Sequence, residues 1–244
     1  MGTATKGLVI REQTIGESDR LVTLLTADYG LVRAFVRGAK QVKNRLASST
    51  SLFAYSDFSL YRGRDAFSVD NASPIEVFFD LRKDIERLAV AQYFAQLAYE
   101  LAEEEQPAPE MLSVLLNSLH LLCNSNKDIR IIKAVVEMRF LSLSGYMPNI
   151  LACANCSVYE TDVMYFDTLD GCIYCENCGK AGAIVCPKNV ITAIRFICLT
   201  EPKKIFSFSL SEENIRLLSD ICEKYLLTRL QRKLPTLEFY KGIL

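Results

Sequence analysis

The sequence has one histidine, His120, in a leucine-rich stretch where a lone imidazole reads as a packed or surface side chain rather than a general base. It has no glycine-rich loop of the Walker type, so no nucleotide pocket is expected, and the chain does not read as an enzyme. No uninterrupted apolar run approaches the roughly 20 residues that cross a bilayer, which argues against a membrane partner. The opening, Met1 to Lys6, lacks the apolar core of a targeting segment. The net charge is −1 and the pI about 6.0, so any hint of a nucleic-acid partner must be local. What remains is a 244-residue chain, half of it apolar, able to bury a sizeable core and long enough for two or three modules.

Cysteine is plentiful, with nine residues, and its spacing carries the strongest signal. Cys153-Ala-Asn-Cys156 and Cys175-Glu-Asn-Cys178 are two metal-ligand knuckles separated by eighteen residues. A tight turn between cysteines two residues apart aims both sulfurs at one point about 2.3 Å away, and two such pairs complete a tetrahedral shell. Four thiolates leave no open coordination position, so the expected cofactor is a structural zinc ion. Asn155, Asn177 and Gly179 suit the left-handed backbone that such turns can need. Cys172 offers a fifth sulfur. Placed on the strand leading into the second knuckle it reads as a small buried hydrophobe, though it could replace one of the four ligands. Thiolate sites also point to a reducing cytoplasm. A dithiol redox role for either pair is an alternative, but neither has the strand-to-helix setting of thioredoxin-like motifs.

The first 80 residues read as strands. Runs at residues 7–10, 20–26 and 31–36 are short and β-branched, and the turn Ala27 to Gly30 makes a hairpin of the last two. Runs at 53–61 and 66–77 follow, joined at residues 62–65. Five short strands predict a closed barrel, and an OB-fold fits the count. Between Leu31 and Arg64 lie Arg33, Arg37, Lys40, Lys43, Arg45, Arg62 and Arg64 against the single acid Asp57. Loops off such barrels bind oligonucleotides through backbone charge and aromatic stacking. Of Phe35, Phe53, Tyr55, Phe58, Tyr61 and Phe67, one or two are expected to be exposed.

After Pro74 the period becomes helical. Residues 81–105 carry a core-facing stripe ending in the acidic, proline-containing linker Glu103 to Pro109. Helices are expected at 110–123 and 129–143, from Pro187 to about Leu199, and from Ser211, the expected N-cap, towards Leu230. Residues 162–168 and 171–174 read as a hairpin between the knuckles. The predicted architecture is α+β and multi-domain: an OB-fold nucleic-acid-binding domain over 1–80 and a helical domain, based on a bundle, over 81–244. A zinc-ribbon segment at 149–186 is inserted in the latter.

This order of parts resembles the RecO family of bacterial recombination mediators. The likeness rests on Lys6 to Ile10, Gly16 to Arg20, Thr26 to Gly30, Val36 to Lys40, Glu137 to Pro148 and the double knuckle, and covers nearly the whole chain. It implies a non-enzymatic DNA repair protein that binds single- and double-stranded DNA, anneals complementary strands, and with RecR helps load RecA onto gaps coated by single-stranded DNA-binding protein. It strengthens the DNA reading of the basic residues named above. It also implies a partner in the acidic, apolar C-terminal tail of single-stranded DNA-binding protein, for which Lys127, Arg130 and Lys133 are candidate cations. One departure is Asp170-Gly171-Cys172, where the family has a glycine pair, which keeps the role of Cys172 open. A zinc-ribbon scaffold that binds only proteins is the rival reading.

Overall fold

The computed structural model describes residues 2–39, 44–63 and 66–244. They form two compact units, one within residues 1–125 with 235–244 and one of residues 126–234. The first unit is built on strands β1 (Gly2–Ile15), β2 (Asp19–Thr26), β3 (Gly30–Val36), β4 (Ala54–Arg62) and β5 (Phe67–Val77). They close into a barrel in the order β1-β2-β3-β5-β4. The β3–β5 pair is parallel and the others antiparallel, which is the connectivity of an OB-fold barrel. Val22, Leu24, Val32, Phe58 and Leu60 fill the interior. β1 runs longer than the short apolar run predicts because it pairs with β2 along one half and β4 along the other. β4 starts at Ala54 rather than Phe53, which sits buried at a φ of 65°.

The helical stripe from residue 81 is interrupted. Leu81 lies in a 3₁₀ turn, Phe79–Lys83, and Asp84 restarts the chain as an N-cap, accepting from the N–H groups of Glu86 and Arg87. This opens α1 (Ile85–Leu101), and α2 spans Pro109–Asn124. α1 stops well before the prolines of the linker. The backbone from Glu103 onwards is engaged elsewhere: Leu31 N–H donates to Glu103 O, Glu105 N–H to Tyr29 O and Ala108 N–H to Ala27 O. The acidic linker is thus a strap laid along the β2–β3 turn.

In the second unit α3 (Ile129–Leu141) is buried on all sides, every residue from Ile131 to Leu141 included. Its charges are therefore matched inside. Lys133 Nζ lies 2.8 Å from Glu137 and 2.9 Å from Glu223, and the Arg139 guanidinium donates to the carbonyls of Ile197 and Cys198. The expected hairpin is a three-stranded sheet, β6 (Val163–Asp167), β7 (Cys172–Cys175) and β8 (Ile184–Pro187), in the order β7-β6-β8. α4 (Lys188–Leu199) follows Pro187, and its last carbonyls are the ones held by Arg139. α5 (Glu212–Leu230) starts after Ser211, whose side chain makes no capping bond. A last helix not seen in the sequence, α6 (Pro235–Ile243), packs on α1 with Leu237 and Tyr240 buried. Among the described residues no helix is long and apolar enough to cross a membrane.

Candidate metal centre and candidate nucleic-acid interface

The Sγ atoms of Cys153, Cys156, Cys175 and Cys178 all lie within 4.8 Å of one another. A tetrahedral ion with sulfurs about 2.3 Å away has edges of about 3.8 Å; the Cys156 and Cys175 sulfurs are 3.6 Å apart. Cys153 and Cys175 are buried, whereas Cys156 is exposed and Cys178 half-buried. Cys172 stands outside the cluster. Being three residues before Cys175 on β7, it points to the opposite face of the strand, where it bonds the Tyr174 hydroxyl and raises its pKa. The family departure at Asp170 to Cys172 therefore leaves the quartet intact.

The thiols cannot all ionise unaided. Burial opposes the Cys153 thiolate, but the backbone N–H groups of Cys156, Cys175 and Asn155 outweigh it and hold its pKa at about 6. Cys178 is pushed up to about 12 by the thiols of Cys156 and Cys175. A divalent cation would let all four act as thiolates, so the donor set fits a metal ion. The turn geometry differs from the sequence expectation: the left-handed residue is Ser157, at φ 62°, and not Asn155, Asn177 or Gly179. Ser157 N–H donates to Cys153 O, and Cys153 N–H to Val158 O, closing the first knuckle.

Two arginines that the sequence reading left out of the site hold it in place. Arg195 of α4, buried, donates to the carbonyls of Ile150, Leu151 and Tyr159, lies 4.2 Å from the Tyr159 ring centroid, and meets Glu160. It clamps both sides of the first knuckle. Arg229 of α5 donates to the carbonyls of Thr168 and Leu169 in the β6–β7 turn, so it anchors the sheet rather than only facing the helix dipole. Gly171, at φ 66°, is required beside it, since a Cβ there would meet the Arg229 and Tyr225 side chains. The available signal was a cation on an apolar helix stripe, as at Arg195 among Ile191, Ile194, Ile197 and Cys198. A charge there must find buried partners.

On the barrel, Arg33 and Phe35 alternate outward from β3, and Arg37 follows, also exposed. Phe35 and Tyr61 are exposed, Phe53 and Phe58 fully buried, and Tyr55 and Phe67 between, so two of the six aromatics present open rings. Arg45 is exposed as well, and neither it nor Arg37 meets a carboxylate among the described residues. Arg33 and Arg62 are paired instead, with Glu104 at 3.1 Å and Glu105 at 2.7 Å. Lys40, Lys43 and Arg64 lie outside the described residues.

Residues 1–78 match the family described as recombination protein O N terminal, and residues 82–238 the one described as recombination protein O C terminal. The chain is 33% identical over 241 residues to a DNA repair protein RecO of Acetivibrio thermocellus, covering 98% of this chain and 96% of the relative. It is 26% identical to one of Alkaliphilus metalliredigens, covering 98% of each, and 31% identical to one of Dehalococcoides mccartyi over 79% and 77%.

The chain belongs to the RecO family. Within this RecO-family chain the three candidate tail-binding cations have different surroundings. Lys133 is only 3% exposed. Burial opposes its charge, yet the Glu137 and Glu223 carboxylates outweigh burial and raise its pKa, so it is an interior ion-pair residue and not part of a solvated face. Arg130 is gripped by Asp128 and Glu212, which raise its pKa further. Lys127, whose pKa burial lowers, donates to the carbonyl of Phe208. That contact puts Lys127 near an apolar groove of about 550 Å³ lined by Pro187, Lys188, Ala193, Phe196, Phe208 and Leu210.

Proposed function

We propose that this chain is a non-enzymatic mediator of DNA repair. The amino-terminal barrel, residues 1–80, binds single- and double-stranded DNA. Arg33, Arg37, Lys40, Lys43, Arg45, Arg62 and Arg64 neutralise phosphates, and Phe35 and Tyr61 give bases a stacking platform. With two strands held and their charge neutralised, base pairing itself supplies the free energy of annealing, and no nucleotide pocket is needed. RecR, and through it RecA, are the partners with which the chain acts on gaps coated by single-stranded DNA-binding protein, in the bacterial cytoplasm. The observation that carries this reading is the family match over almost the whole chain, joined to an OB-type barrel whose third strand alternates cation and aromatic on its outer face.

Two further assignments belong to it. The cysteine quartet holds zinc in a structural role, since a full thiolate shell offers no position for substrate; when bound, the ion ties the two knuckles together. The acidic, apolar tail of single-stranded DNA-binding protein docks in the groove between β8, α4 and Phe208, with Lys127 and Lys188 as the nearby cations and Arg130 at the start of α3 beyond them. Lys133 takes no part.

The test is strand binding and annealing titrated with salt, for the wild type and a variant with Arg37, Lys40, Lys43 and Arg45 changed to Ala. The slope of log affinity against log salt for single strands should flatten by about 2.8, at roughly 0.7 per lost phosphate contact, with annealing lost and metal content unchanged. An unchanged slope would move the DNA surface off the barrel, and no binding by either protein would favour a scaffold that binds only proteins.

A further inference from the structure

The strap at residues 103–108 belongs to no element the DNA reading uses, yet it is fastened to the barrel with unusual care. Three backbone hydrogen bonds tie it to the β2–β3 turn. Gly30 lies under it at φ 58°, and a Cβ there would collide with the carbonyls of Glu103 and Gln106. Glu105 adopts a left-handed φ of 61°, a conformation that a side chain with a Cβ rarely takes. The result is that two successive carboxylates meet two cations from separate strands: Glu104 sits on Arg33 of β3 and Glu105 on Arg62 of β4. The four side chains rim a cavity of about 370 Å³ that Tyr29 and Phe67 also line, and the Arg62 guanidinium lies 5.8 Å from the Phe67 ring centroid.

An arginine facing one carboxylate presents the same fork of N–H donors that it presents to a phosphate. Both pairs are more than half exposed, and exposed pairs are weak and salt-screened. They are therefore displaceable by a polyanion that brings several charges at once. Two acids on a rigid backbone are poised to compete with nucleic acid and do not bind it.

We propose that the strap is a built-in competitor for nucleic-acid phosphate: Glu104 and Glu105 occupy Arg33 and Arg62, and a bound strand displaces the two carboxylates. The inference rests on the DNA reading of the barrel. It makes Arg33 and Arg62 a second tier of contacts, engaged only when the strap's carboxylates are displaced, beside Arg37 and Arg45, which need no such release.

The experiment measures anisotropy of a labelled oligothymidylate against the full chain, over a salt series, for the wild type, Glu103→Gln, Glu104→Gln, Glu105→Gln, and Glu104→Gln combined with Arg33→Ala. Each glutamine is isosteric and leaves the strap's backbone bonds in place. Glu104→Gln and Glu105→Gln should each tighten binding roughly threefold at low salt and steepen the salt slope by about 0.7. Glu103→Gln, one residue away and facing no cation among the described residues, should change neither, and Arg33→Ala should cancel the gain of Glu104→Gln. Equal gains in all three single variants would make the effect general charge repulsion and overturn the proposal, as would no gain at all, or a gain that survives Arg33→Ala. Binding by none of the proteins would sink the DNA reading and the strap proposal with it.

Discussion

The cysteine cluster and the basic rim of the barrel were both visible as residue patterns, and the structure treats them very differently. At the cluster, four side chains chosen by spacing alone converge within 4.8 Å. At the rim, cations chosen by local composition divide: Arg37 and Arg45 stand open, while Arg33 and Arg62 are held by acids about seventy and forty residues further along the chain. Ligand geometry in a Cys-x-x-Cys turn is local information, because the intervening backbone has few ways to fold. Availability of a charge is non-local, because any strand or strap brought alongside can neutralise it.

The comparison can be broken most severely at the cysteine cluster. Stripping metal with a chelator, or changing Cys153 or Cys175 to Ala, should abolish binding of one equivalent of zinc and loosen the sheet β6–β8, seen as rapid hydrogen exchange over residues 150–187. Cys172→Ala should retain the metal. Protons compete with metal for thiolates, so zinc should be released as pH falls and retained as pH rises; retention in acid would contradict a four-thiolate site. A smaller effect is expected inside α3. Lys133→Ala leaves the buried Glu137 and the partly exposed Glu223 without their cation, which costs about 3–5 kcal/mol for a broken buried ion pair, measurable by denaturant unfolding. Lys133→Met with Glu137→Gln should recover much of that loss. Near-neutral behaviour of Lys133→Ala would contradict a buried ion pair at this position.

The barrel was legible in outline because turn residues punctuate it: Asp28 to Gly30 and the stretch around Gly63 separate runs of β-branched residues. The cysteine quartet was legible because its spacing has few other uses. What escaped the sequence shares a physical cause, dependence on distant partners. β8 is four residues long and ends in Pro187, whose missing N–H is tolerable at a strand end but hides the strand from any propensity argument. α6 has only nine residues and depends on α1 for its burial. The end of α1 was assigned to the prolines, whereas the strap's backbone bonds to the β2–β3 turn end it sooner. The roles of Arg195 and Arg229 depend on carbonyls far along the chain, which no local pattern identifies.

The same cause separates the two groups of lysine and arginine in the second unit. Lys133 and Arg139 lie on a helix with no exposed face, and their charges are spent on Glu137, Glu223 and the end of α4. Lys127 and Lys188 lie beside an open groove, Lys188 more than half exposed though paired with Glu160 at 2.8 Å. A charge count over the sequence cannot tell the two apart, whereas the burial of α3 does.

The most direct test of the central claim is hydrogen exchange of the full, metal-loaded chain with and without a saturating single-stranded oligonucleotide at about 50 mM salt, where phosphate contacts are strong. The account predicts slowed exchange across residues 30–39 and 44–53 of the barrel, unchanged backbone exchange in the strap at 103–108, where only side chains give way, and no change over residues 150–180. Protection confined to residues 126–234, with the barrel unchanged, would contradict it.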